Sequence, residues 1–179
     1  MTDTGSSVDL PKGVKLLVVS TVPELVRNFL LPYADHYRAV GWEVGVAVGE
    51  PARFPEIRQH FDHVWDIPWS RSILSPSNLT MAAPSIRSLI RQVRPDLVHV
   101  HTPIAGFLTR AAVRSLPRRS RPLVVYTTHG FHFHPGGSVL PNALFLAAER
   151  AAARWTDCLT VINQTDEHAA LRFRIVPRR

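Results

Sequence analysis

Three histidines, His129, His132 and His134, fall within six residues of one another in Thr128-His129-Gly130-Phe131-His132-Phe133-His134. Neutral imidazole offers one donor and one acceptor, and its charge changes near pH 7. A cluster of this kind suits metal binding, proton transfer or the holding of an oxyanion. Metal is disfavoured, because no cysteine or carboxylate stands nearby to complete a ligand set, and Phe131 and Phe133 bury much of the loop. His134 reads as a group that satisfies loop backbone. His129 differs, because it ends an apolar run and is followed by Gly130, where a ligand can approach the backbone closely. It is the candidate catalytic residue, placed to hydrogen-bond a sugar hydroxyl or a phosphate oxygen.

The elements that must position it follow from periodicity. Short apolar runs, Lys15 to Ser20, Glu43 to Val48, Val64 to Pro68, Leu97 to His101, Leu123 to Thr127 and Cys158 to Ile162, read as strands. Helical stretches of ten residues or more separate most of them: Pro23 to Val40, Leu79 to Val93, Ile104 to Ser115 and Leu140 to Trp155. A short basic helix is expected over Pro55 to His60, and another after Asn163. This alternation predicts an α/β domain, a Rossmann-like parallel sheet with helices on both faces. Ligands of such sheets bind beyond the carboxyl ends of the strands. Those ends carry Thr21, Ser70, Arg71, His101, Thr102, Gly130, Phe131, His132 and Asn163, the candidate substrate-binding residues.

Composition limits what the rim can serve. The 179 residues, 45% hydrophobic and 20% charged, suit one globular domain. No glycine follows the first strand, where a dinucleotide fingerprint requires them, and no P-loop or Gly-x-Ser-x-Gly elbow is present. The single cysteine, Cys158, sits in an apolar run and reads as buried. Residues 1–13 are polar and read as a disordered tail, with the domain over 14–179. A cytoplasmic protein is expected, since nothing resembles a signal peptide or a span of about 18 apolar residues.

The formal charge of +7 rests almost wholly on arginine. Arg87, Arg91 and Arg94 recur at helical spacing and form one stripe, expected to face an anionic membrane surface at its inner side. Arg110 and Arg114 repeat the pattern within a second basic group (Arg118, Arg119, Arg121), and Arg172, Arg174, Arg178 and Arg179 make a third. The same arginines also read as a solvated face. No aromatic residues are interleaved with them, so nucleic acid is not an expected partner.

The ordered set Pro68-Trp69-Ser70-Arg71-Ser72, Val98-His99-Val100-His101-Thr102-Pro103, Tyr126-Thr127-Thr128-His129-Gly130-Phe131-His132-Phe133 and Thr156-Asp157-Cys158-Leu159-Thr160-Val161-Ile162-Asn163 resembles glycosyltransferase family 4. The likeness is greatest to the bacterial members that build polysaccharide or lipid-linked glycans, and it runs from about Lys15 to Arg172. It implies one half of a GT-B fold, the N-terminal half that carries the acceptor side of the cleft. It implies a nucleotide-diphosphate sugar as donor, a glycan or lipid-linked acceptor and no metal cofactor. It places His129 beside the donor's sugar and diphosphate, and Ser70, Arg71, His101 and Thr102 on the acceptor side. Members are about twice as long, and their Glu-x7-Glu donor motif has no counterpart here. Either a truncated gene product or a partner chain supplying the donor half is then expected, with no transfer by this chain alone. Two alternatives stand beside this reading: a non-catalytic module that binds glycan, lipid phosphate or a partner chain, and half of a nucleotide-sugar 2-epimerase. The second would need carboxylates at the rim, where the sequence places hydroxyls and imidazoles.

Overall fold

The segments Lys15 to Ser20 and Glu43 to Val48 are apolar on both faces because helices cover both sides of them, so no solvated side demands alternation. The computed structural model describes residues 11–72, 75–133 and 136–177. Its six strands are β1 (Lys15–Ser20), β2 (Glu43–Val48), β3 (His63–Asp66), β4 (Leu97–His101), β5 (Leu123–Thr128) and β6 (Cys158–Val161). All pair in parallel, in the order β3-β2-β1-β4-β5-β6. This is the expected Rossmann-like sheet. The chain reverses its direction of travel across the sheet between β1 and β4, which opens a crevice at their carboxyl ends.

Helix α1 covers β1 and β2. It runs through Pro23–Leu25, a π turn at Val26–Leu30 and Leu31–Ala39, and it ends at Gly41, whose φ of +89° suits glycine. Helix α2 (Ile57–His60) lies beside it. The other face carries α3, a π turn at Asn78–Ala82 continuing as Ala83–Val93, then α4 (Pro103–Arg114) and α5 (Val139–Ala153). The last helix, α6, is Gln164–Arg172. Both π turns immediately precede a proline-bearing first turn, at Pro32 and Pro84. Proline lacks the N–H for the i→i−4 bond and its ring crowds that carbonyl, so the helix widens just before it.

Two cores result. Leu16, Val18, Val44 and Val46 pack under α1, while Leu17, Val19, Val98, Val100 and Val124 pack under α3 and α4. The half of the α1 face formed by β4, β5 and β6 carries polar groups instead. Cys158 lies there, exposed on the edge strand and not buried as its apolar run suggested. Arg110 is the opposite case. The sequence grouped it with surface arginines, but it is 1% exposed, bonded to Glu149 at 2.9 Å and stacked 4.0 Å over the Tyr126 ring. Of the expected tail, residues 1–10 lie outside the described residues, as do His134, Arg178 and Arg179. Pro11 accepts a hydrogen bond from the Trp42 indole at 2.8 Å, and Gly13 N–H donates to Gly41. No described helix is long and apolar enough to cross a membrane.

Candidate functional site

Strand alternation places His99 and His101 on the α1 face of β4, since Val98 and Val100 face the other core. Thr127 on β5 and His129 just past its end come alongside. The His99 and His101 ring centroids are 4.2 Å apart, and those of His101 and His129 are 5.3 Å apart. His101 Nδ1 meets His129 Nε2 at 3.1 Å, and His99 Nε2 meets Thr127 Oγ1 at 2.7 Å. Burial, then the neighbouring imidazoles, holds His101 near pKa 2. Burial first and His129 second bring His99 to about 4. Burial also lowers His129, which is itself exposed. The row is therefore neutral at pH 7. His101 Nε2 is buried without a partner. These residues line an open, mainly apolar cleft of about 820 Å³ closed on its far side by Phe29, Leu30 and Tyr33 of α1.

A second cleft, about 430 Å³, lies on the α4 side of the same rim and gathers Thr21, Arg71, Thr102 and His132, with Phe145 as an apolar wall. Thr21 and Thr102 form the crevice itself. Their hydroxyls are 2.7 Å apart, and the Thr21 N–H donates to Thr102 Oγ1 at 3.0 Å. Thr102 precedes α4 with φ +64° and ψ 146°, a region that a β-branched residue rarely occupies. It does not cap its own helix. Thr21 Oγ1, reaching across from β1, accepts the Ala105 N–H at 3.3 Å.

The remaining expected residues shape the rim from behind. Gly130 has φ +117°, a conformation that favours glycine, and a Cβ built there would meet nothing within 4 Å. Phe131 stacks on Phe133, with centroids 5.0 Å apart. Asn163 accepts the Asp166 N–H at 2.8 Å as N-cap of α6, and Asp166 in turn accepts the Phe131 N–H. Ser70 Oγ accepts the Ser72 N–H, while buried Asn78 bonds both the N–H and C=O of Ser70. Ser70 and Asn163 are thus engaged in local structure, whereas Thr21, Arg71, Thr102 and His132 meet in one cleft and His101 and His129 in the other. Among the described residues, no three His, Cys, Asp or Glu side chains converge on a metal-sized site.

Sequence reasoning missed three groups. His99 was legible from its period-two spacing with His101. Glu24 was not, since only the fold brings it to Arg53 Nη1 at 2.8 Å and Arg71 Nη2 at 3.1 Å. Bonding to its own backbone N–H, then the Arg53 and Arg71 charges, outweighs desolvation and holds its carboxyl below the ordinary range. Asp166 likewise reaches the loop only through α6. The rim therefore does contain carboxylates, contrary to the sequence expectation, but each is already engaged. Arg87, Arg91 and Arg94 lie elsewhere. They are exposed and share a cleft at the amino ends of β4 and β5, roughly 20 Å from the rim for a six-residue strand.

Residues 26–179 match the model of Glycosyltransferase Family 4. The chain is 36% identical over 152 residues to EpsD of Bacillus subtilis (strain 168), whose name describes it as a glycosyltransferase. That match covers 85% of this chain and 38% of EpsD, so the chain spans less than half of that relative. Sucrose-phosphate synthase from Thermosynechococcus elongatus superposes with a TM-score of 0.65 at 14% identity, covering 91% of this chain and 45% of that one. A UDP-GlcNAc 2-epimerase from Methanocaldococcus jannaschii superposes at 0.57 and 12% identity, covering 89% and 42%. At such identities the two structures speak for the fold alone. The sequence match decides the family: this chain belongs to glycosyltransferase family 4.

Proposed function

We propose that the chain forms the acceptor side of a sugar transfer from a nucleotide-diphosphate donor to a glycan or lipid-linked acceptor. The observation that carries this reading is the neutral histidine row ending at the exposed His129, set on the rim at the strand crossover. When His101 Nδ1 holds its proton, it donates to His129 Nε2. His129 then carries its own proton on Nδ1, where it can donate to an oxygen of the sugar or the diphosphate. Because burial opposes protonation of His99 and His101, the row works as an oriented hydrogen-bond donor and not as a cation. A donor fixed in place before charge develops on a departing oxygen stabilises the transition state without reorganisation. Thr21, Thr102 and His132 offer hydroxyl and imidazole partners for acceptor hydroxyls in the adjoining cleft, with Phe145 available to pack against a sugar ring.

Saturation-transfer NMR of the chain with prenyl-diphosphate-linked sugars and with nucleotide-sugars tests this. Acceptor sugar and diphosphate signals are expected, and His129→Ala should remove most of them. Nucleotide release well above background by this chain alone, abolished by His129→Ala, would overturn the acceptor-side assignment. So would tight nucleotide-sugar binding that ignores the substitution.

A further inference from the structure

The strongest charge feature of the molecule is at the pole opposite the rim. Arg87, Arg91, Arg94, Arg119 and Arg121 line one concave cleft of about 1040 Å³ between the end of α3, the start of β4 and the loop before β5. The adjoining cleft, about 560 Å³, shares Arg121 and adds Arg114, Arg118 and Arg154. None of these side chains forms an ion pair with a described carboxylate. Each cleft has one aspartate, and both are committed to backbone. Asp96 accepts the Lys15 N–H at 2.9 Å, and Asp157 accepts the Val124 N–H at 2.7 Å.

Water and salt screen the mutual repulsion of these guanidiniums only in part, and a bound anion would relieve it further. Burial first, then repulsion from Arg114 and Arg118, lowers the Arg121 pKa. Two of the guanidiniums are held in place by neutral groups: Arg87 Nε donates to Ser115 Oγ at 2.9 Å, and Arg121 Nε to the Leu116 carbonyl at 2.9 Å. Each keeps its terminal nitrogens available. Planar guanidiniums with fixed forks match phosphate oxygens in a way that a diffuse charge does not.

We propose that this pole is a second anion site, built for clustered phosphates and separate from the transfer rim. Concavity favours a ligand that several arginines grip at once, either a soluble oligophosphate or the phosphates of membrane lipids entering from a surface. The site lies across the length of the sheet from His129, so its occupation would leave the rim free and turned away.

Isothermal titration with inorganic tripolyphosphate, and co-sedimentation with phosphatidylglycerol vesicles, test the site and separate its two sources. Saturable tripolyphosphate binding is expected, weakened about tenfold or more by the pair Arg91→Glu and Arg119→Glu. A charge-matched control, Arg58→Glu with Arg172→Glu, should leave it nearly unchanged. Vesicle binding that tripolyphosphate competes away identifies lipid phosphate as the source, and tripolyphosphate binding without vesicle binding identifies a soluble one. Equal losses in both pairs would reduce the effect to net charge and overturn the proposal, as would no binding of either probe. All four positions are exposed, so circular dichroism melting should show both variants folded.

Discussion

Tyr126 and Thr127 are neighbours on β5 that point to opposite faces of the sheet, and each anchors a polar network inside the protein. Behind Tyr126 the network is closed. Its hydroxyl donates to Glu149 Oε1 at 3.0 Å, Arg110 bonds the other carboxylate oxygen, and Arg110 also reaches the Gly106 carbonyl and Thr156 Oγ1. Burial first, then the Glu149 charge, raises the Tyr126 pKa, so its proton stays in place. Beyond Thr127 the network is open. His99 and His101 are kept neutral by burial, His101 Nε2 has no partner among the described residues, and the row ends at the exposed His129 in a cleft. A closed network returns its desolvation cost within the fold. An open one keeps hydrogen-bonding capacity unspent, which on the function proposed above serves a ligand.

The largest effect expected is on the closed side. Glu149→Ala would strand the Arg110 charge in the core and cost about 3–5 kcal/mol in urea denaturation, whereas Arg110→Met with Glu149→Leu should recover much of it. A single-variant loss under about 1 kcal/mol would mean that water already reaches the arginine. Next comes acidification of the open side. In the unfolded chain both histidines titrate near 6.5, and in the folded chain near 4 for His99 and 2 for His101. The unfolded state therefore binds more protons below pH 6.5, so stability falls as pH drops from 7 toward 4. Each histidine should remove roughly 2 kcal/mol by pH 5. His101→Gln should flatten that slope by about half, and an unchanged slope would place the titration elsewhere.

Gly130→Ala should cost about 1–2 kcal/mol, through backbone strain alone, because the space around it is open. Thermal melting would show it. The smallest effect on stability belongs to His129→Ala, within about 0.5 kcal/mol for an exposed side chain, although ligand contacts at the rim should be lost. A large stability loss there would assign His129 to the scaffold.

The six parallel strands were legible because short β-branched runs flanked by helical stretches admit few arrangements, whereas their order, with the reversal between β1 and β4, came only from the structure. Periodicity failed where burial depends on a distant partner. Arg110 and Arg114 share a helical spacing, but α4 is buried on most sides, and the Glu149 that neutralises Arg110 is 39 residues away. Cys158 looked like core because its neighbours are apolar, and only the uncovered half of the sheet exposes it. At the rim, residue type located Thr21, Thr102, His101 and His129 through the strand-end rule. It could not say that Ser70 and Asn163 would be used locally, or that Arg71 would meet Glu24 from 47 residues away.

The cap of α4 bears on the order in which the chain assembles. A helix that carries its own capping side chain can gain that bond while still an isolated segment. Here the Ala105 N–H is met by Thr21, 84 residues earlier, so α4 gains its cap only after β1 and β4 have come together. Closing a loop of that length carries an entropic cost, and an interaction absent from the transition state governs the rate of unfolding more than that of folding. A hydroxyl that shapes the crevice would then double as a latch: Thr21→Val is expected to speed unfolding more than it slows folding, and stopped-flow rates that change the other way would place the contact in the transition state.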